Sequence, residues 1–136
     1  MRPRGILETC LYCPDLDTAD AFYRDVFGLE RITRKEDRHV FFRCGDGVLL
    51  LFNPARTAEE STSIDGASVP SHGTTGPGHI AFSVSPSDID RWRERFVRNG
   101  VPIESEVRWP GGGQSIYVRD PAGNSIEVAT PDLWGL

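Results

Sequence analysis

The chain has 136 residues, a formal net charge of −5 and 38% hydrophobic residues, with a mean hydropathy of −0.34; these values describe one soluble globular domain, 1–136, with room for a core. No apolar run approaches the roughly 18 residues of a membrane helix, and the basic start Met1-Arg2-Pro3-Arg4-Gly5 has no apolar stretch behind it. Neither a membrane span nor a signal peptide is expected, so the cytoplasm is the default, and the scattered basic residues argue against nucleic acid as a partner.

In chain order, 6–13 reads as a strand ended by Pro14, with Leu7, Thr9, Leu11 and Cys13 on one face and Glu8, Cys10 and Tyr12 on the other. Cys10 and Cys13 spell C-x-x-C, but on a strand they face opposite sides about 10 Å apart, too far to bridge or share a metal. Cys44 reads as a small buried apolar residue. A helix follows, capped by Asp15 or Asp17, with Ala19, Phe22, Tyr23, Val26 and Phe27 as its apolar stripe and Gly28 as its stop. Strands over 29–34, 39–44 and 48–53 come next, joined by a charged turn at 35–38 and a tight Asp46-Gly47 turn. On 39–44, His39, Phe41 and Arg43 oppose Val40, Phe42 and Cys44. The second set has more core character, which leaves His39 and Arg43 to reach a cavity or to lie on a sheet edge. The stretch 55–77 is rich in Ser, Thr, Gly, Ala and Pro, lacks apolar periodicity and reads as a linker, with His72 exposed.

The order then repeats. Residues 79–84 form a strand with Ile80, Phe82 and Val84 on one face. Ser85 or Ser87 caps a helix whose stripe is Ile89, Trp92, Phe96 and Val97, ended by Asn99-Gly100. A strand at 103–107 leads to a Gly-rich loop in which Trp109 could act as a lid over substrate. Strands 115–118 and 125–130 flank the turn residues 120–124 as a hairpin. Alternation puts Ile126 and Val128 on one face and Ser125, Glu127 and Ala129 on the other, so Glu127 is a mid-strand carboxylate that either lines a pocket or meets solvent. Gln114 and Ile116 alternate with Ser115 and Tyr117, and either pair can face inward. The apolar tail 131–136 could dock on the body or on a second subunit.

The βαβββ order thus occurs twice, in module one at 6–54 and module two at 78–130. Aligned on their turn glycines, the modules pair Leu51 with Glu127; aligned on their first strands, they pair Glu8 with His79. The expected fold class is α+β, two tandem βαβββ modules forming a curved, partly open mixed sheet. The helices would cover the outer faces, marked by Leu7, Leu11, Leu50 and Phe52 in one half and Ile80, Phe82, Ile126 and Val128 in the other. Glu8, Tyr12, Leu49, Leu51, His79 and Glu127 then belong to the concave face.

The motif PDL-x-x-A-x-x-FY-x-D-x-x-GL at 14–29, the strand opening Gly78-His79-Ile80-Ala81-Phe82 and RDPAGN-x-IE at 119–127 resemble the vicinal oxygen chelate superfamily, which includes glyoxalase I, extradiol dioxygenases, fosfomycin-resistance enzymes and bleomycin-binding proteins. The resemblance implies four metal-ligand positions, here Glu8, Leu51, His79 and Glu127. Leu51 cannot ligate, which departs from glyoxalase I. Glu8 stands where a histidine is usual, which departs from the dioxygenases.

Two carboxylates and an imidazole carry charge −2, matching a divalent cation, and three ligands leave positions open for a substrate with adjacent oxygens. Mixed N/O ligation suits Mn, Fe, Ni or Zn without choosing among them. The expected function is therefore a metal-dependent lyase, isomerase or transferase acting on a small molecule, with Glu8, His79 and Glu127 as ligands and Glu127 and Tyr12 as catalytic candidates. Tyr12, His39, Arg43, Leu51, Trp109 and Gln114 are candidate substrate contacts, and a homodimer is expected. The alternatives are a metal-free drug- or metabolite-binding protein and a structural dimer without ligand.

Overall fold

The computed structural model describes residues 1–59 and 61–136. They form two compact units, Met1–Gly76 and Pro77–Leu136. No helix among the described residues is long and apolar enough to cross a membrane.

The first unit runs β1 (Glu8–Tyr12), α1 (Leu16–Asp25), β2 (Glu30–Lys35), β3 (His39–Cys44) and β4 (Gly47–Phe52). The sheet order is β1-β4-β3-β2, with β1 parallel to β4 and the other pairs antiparallel. Asp15 caps α1 by accepting from the backbone N–H of Asp17 and Thr18, and Gly28 takes the left-handed conformation (φ 68°) that ends the turn. The helix buries Leu16, Ala19 and Tyr23. The Tyr23 ring lies 5.9 Å from that of Phe42, and Leu11, Val40, Leu49 and Leu51 are buried with it. Each large apolar side chain so buried stabilises the unit by about 1.5–3 kcal/mol relative to exposure. Asp20, buried on α1, holds Arg31 of β2 at 2.7 Å and Arg24 at 3.1 Å, which ties the helix to the sheet edge.

The ladder corrects the expected facing of β4. Glu8 pairs with Val48, Cys10 with Leu50 and Tyr12 with Phe52, whereas Leu11 pairs with Leu51. Leu50 and Phe52 therefore share the face of Glu8, and Leu49 and Leu51 share the core face. The reason is turn length. Gly47 already pairs with Cys44 as a strand residue, whereas Gly123 lies inside the longer turn between the paired residues Arg119 and Ser125. Aligning the two glycines slips the register by one residue, which flips every side chain.

The stretch expected as a linker carries local structure. Asn53 caps α2 (Pro54–Thr57), and β5 (Thr62–Ile64) pairs with β6 (Ala67–Val69) as a hairpin. Arg38 holds both, donating to the Arg56 carbonyl at 2.6 Å and to Thr62 Oγ1 at 2.8 Å. Strands of three residues are too short to show a hydrophobic period.

The second unit runs β7 (His79–Ser83), a 3-10 turn (Pro86–Asp88), α3 (Ile89–Arg98), β8 (Ile103–Arg108), β9 (Gln114–Arg119), β10 (Ser125–Ala129) and a 3-10 turn (Pro131–Trp134). Its sheet repeats the first, in the order β7-β10-β9-β8. Ile89 and Phe96 of α3 are buried, as are Phe82, Ile116, Val118, Ile126 and Val128. Two expectations for α3 need correction. Ser85 and Ser87 bond to each other at 2.8 Å rather than capping the helix, and Val97 points outward, 69% exposed.

Gly113 sets the loop before β9. Its φ is +87°, and a Cβ there would stand 2.6 Å from the backbone nitrogen of Leu133. Gly113→Ala is expected to destabilise the protein by about 2 kcal/mol, because strain and a backbone clash add. Urea denaturation followed by tryptophan fluorescence checks this; an unchanged midpoint would show that the C-terminal turn gives way freely.

Candidate metal centre

Glu127 sits in the middle of β10, the strand flanked by β7 and β9. Its ladder partners are Tyr117 on β9 and Ala81 on β7, and His79 pairs with Ser125. One face of this sheet therefore gathers His79, Ser115, Tyr117 and Glu127, while Ile80, Phe82, Ile116, Val118, Ile126 and Val128 fill the opposite face under α3. Glu127 is 6% exposed. A carboxylate so enclosed needs donors or a cation.

The neighbours on this face carry donors. The Trp109 indole N–H donates to Ser115 Oγ at 2.8 Å. Ser115 and Tyr117 lie on the Glu127 face of β9, with Tyr117 directly opposite Glu127 in the ladder. Burial, and then the bond to Glu127, push the Tyr117 phenol above its usual range, so it stays a donor.

His79 meets the same carboxylate from the side. Its Nδ1 lies 3.1 Å from the Ser125 carbonyl oxygen. That oxygen only accepts, so Nδ1 carries the proton. In the neutral ring the Nε2 lone pair then faces Glu127 Oε2 at 3.4 Å. Two acceptors so placed can share a cation. The donor set fits a divalent ion, with a neutral imidazole nitrogen oriented through its second nitrogen and a carboxylate oriented by a phenol.

The turn before β10 fixes where His79 starts. Asp120 accepts from the backbone N–H of Ala122 and Asn124, both at 2.9 Å, and from Asn124 Nδ2 at 2.8 Å. Asn124 Oδ1 in turn accepts from the Gly78 N–H at 2.7 Å.

Residues 5–128 match the family described as the Glyoxalase/Bleomycin resistance protein/Dioxygenase superfamily. The chain belongs to that superfamily. A crystal structure of lactoylglutathione lyase from Agrobacterium tumefaciens is 44% identical, covers 100% of both chains and superposes with a TM-score of 0.93. Metallothiol transferase FosB of Bacillus licheniformis is 27% identical over 131 residues, 96% of this chain and 77% of that protein. FosB of Staphylococcus haemolyticus is 30% identical over 113 residues, 82% of this chain and 73% of that protein.

Within this superfamily member, the other sequence-derived candidates fall into two groups. Glu8, Tyr12, His39 and Arg43 share one face of the first sheet, by the ladders that join β1, β4 and β3. Glu8 is exposed there and holds the ladder position in the first unit that His79 holds in the second. Two residues further along the neighbouring strand stand Leu50 and Glu127, so the first-unit counterpart of Glu127 is Leu50. Leu51 is fully buried on the core face. Gln114 pairs with Arg108 and shares the face of Ile116, opposite to Glu127. Trp109 is tied to β9 through Ser115, not free as a hanging lid. Among the described residues, no three His, Cys, Asp or Glu side chains gather as a metal cluster; His79 and Glu127 are a pair.

Two residues of interest were not among the sequence candidates: Tyr117, whose facing the alternation leaves open, and His72, expected and found exposed. Tyr117 was accessible from hairpin register, since pairing Arg119 with Ser125 sets Tyr117 opposite Glu127. His72 lies 2.8 Å through Nδ1 from the Tyr12 hydroxyl, a pairing of residues sixty apart that no local pattern marks. The Tyr12 phenol is raised by burial and then by its Cys10 neighbour, which suits it to donate a proton rather than to act as a base at neutral pH.

Proposed function

We propose that the chain is a metal-dependent lyase, isomerase or transferase acting on a small molecule with adjacent oxygens, and that His79, Glu127 and Glu8 hold the ion. The observation that carries this reading is the approach of His79 Nε2 to Glu127 Oε2, at 3.4 Å, with Nδ1 already committed to a carbonyl. Glu8 joins the proposed set because it holds in the first unit the ladder position that His79 holds in the second, and a homodimer is the proposed assembly. A divalent ion held there would supply Lewis acidity to the substrate oxygens. Tyr117, opposite Glu127 in the ladder, would keep the carboxylate turned toward the ion. The cytoplasm is the proposed location.

The kinship with a lactoylglutathione lyase and with metallothiol transferases supports both a lyase and a transferase reading. Leu50, apolar where Glu127 has its counterpart, favours a three-ligand site and also keeps alive a second reading, a metal-free binder. Metal analysis of protein purified without a histidine tag separates the two. The expected result is a retained or reloadable divalent ion, with Mn²⁺ broadening the His79 imidazole signals. Turnover is then assayed with the methylglyoxal–glutathione adduct and with fosfomycin plus a thiol. Protein that takes up no ion and leaves His79 unperturbed overturns the enzyme reading.

A further inference from the structure

The first unit contains a cavity that the metal site does not use. It has a volume of about 190 Å³ and opens under the β5–β6 hairpin, on the face of the first sheet that bears Tyr12. Its wall is aromatic. His39 stacks parallel on Phe41 with ring centroids 4.2 Å apart and 13° between planes. Phe52 stands edge-on to Phe41 at 5.3 Å and to His72 at 4.6 Å. Ile64 and Val69 close the hairpin side, and Lys35 and Arg38 also line the cavity. Burial, then the charges of Arg38 and Lys35, lower the His39 pKa, so at neutral pH this ring is an uncharged extension of the Phe41 surface.

We infer that this cup is a binding site for a small molecule carrying one aromatic ring and an anionic group. Size selects the ring. A cavity of about 150 Å³ accommodates benzene, so the cup takes a single ring with a short substituent and is too small for a whole drug-sized molecule, which needs at least about 300 Å³. Geometry selects flatness, because a planar guest lies along the His39–Phe41 plane and meets Phe52 and His72 edge to face. Charge selects the anion, since among the described residues the lining holds two cations and no carboxylate. The Tyr12–His72 hydrogen bond fixes the His72 wall in place. The cup rests on its own residues and does not require the ion.

The chain has only three histidines, which makes the test clean. Benzoate is titrated into the full chain while the imidazole signals are followed by NMR. Saturable shifts at His39 and His72 with His79 unmoved are expected, and benzyl alcohol is expected to bind about fivefold more weakly. Val69→Trp, at a position 41% exposed, should fill the cup and weaken benzoate by at least about tenfold; Lys35→Gln should weaken it by about fivefold. Absence of a saturable shift, benzoate affinity unchanged in Val69→Trp, or shifts at His79 alone would overturn the inference. Mn²⁺ titration read at His79 fails or succeeds independently, so loss of one reading is not mistaken for loss of the other.

Discussion

Glu127→Gln is expected to weaken Mn²⁺ binding by at least about 100-fold, close to 2.7 kcal/mol, without lowering the stability of the metal-free protein. The amide keeps the size of the side chain and an oxygen beside Tyr117, its ladder partner. It removes the negative charge that would draw an ion, and an amide oxygen is a far poorer ligand. It also removes the cost of enclosing a carboxylate that is 6% exposed, so the melting temperature of the metal-free variant should hold or rise. A residue present only for structure would give the opposite signature, a lower melting temperature with no change at the ion. Tyr117→Phe should reduce affinity by about tenfold, as removing a group that orients a ligand does. Calorimetric titration with Mn²⁺ decides the matter; equal affinity in the wild type and Glu127→Gln would remove Glu127 from the ligand set.

Asp120→Ala should cost about 3 kcal/mol, as a buried charged acceptor removed from several donors does, against a total stability of about 5–15 kcal/mol for a small protein. Asp120 is 4% exposed and Asn124 1%. The substitution strands the N–H groups of Ala122 and Asn124 and removes the acceptor of Asn124 Nδ2. Asn124→Ala breaks the next link, the 2.7 Å bond from the Gly78 N–H, and so loosens the residue before His79. Both variants are expected to lose metal affinity as well as stability, since the imidazole would no longer be held against Glu127. All three tryptophans, Trp92, Trp109 and Trp134, lie in the second unit, so their fluorescence during urea denaturation reports that unit directly. A change below about 1 kcal/mol would mean that the turn contributes little to order around it.

Much of the fold was legible because strands and helices advertise their buried faces. Ala19 and Tyr23 on α1 and Phe42 on β3 could be assigned from spacing alone. The duplication was legible too, because Glu8 and His79 each open the first strand of their unit. Legibility failed where a single residue of turn length mattered. Leu49 to Phe52 form an unbroken apolar run with no polar residue to mark its outer side, so their facing depended on the position of Gly47. Gln114 and Tyr117 failed for a related reason, since either alternation on β9 is apolar enough to serve as core. The cup was invisible in the sequence because Ile64, Val69 and His72 come from a stretch whose composition reads as loop, and the hydrogen bonds of Arg38 and Tyr12, with that of the His72 N–H to the Thr57 carbonyl, bring them over β3 and β4.

Leu50 in the first sheet stands where Glu127 stands in the second, so the two halves are not interchangeable. Leu50 is 9% exposed and is flanked in the ladder by Cys10 and Phe41. An acid introduced there would meet Cys10 and Phe41 in the ladder, with no phenol like Tyr117 opposite it, and enclosing it unpartnered would cost several kcal/mol. Asymmetry of this kind behaves as a ratchet. Each half can be modified for its own task, and a substitution tolerated in one is no guide to its mirror position in the other.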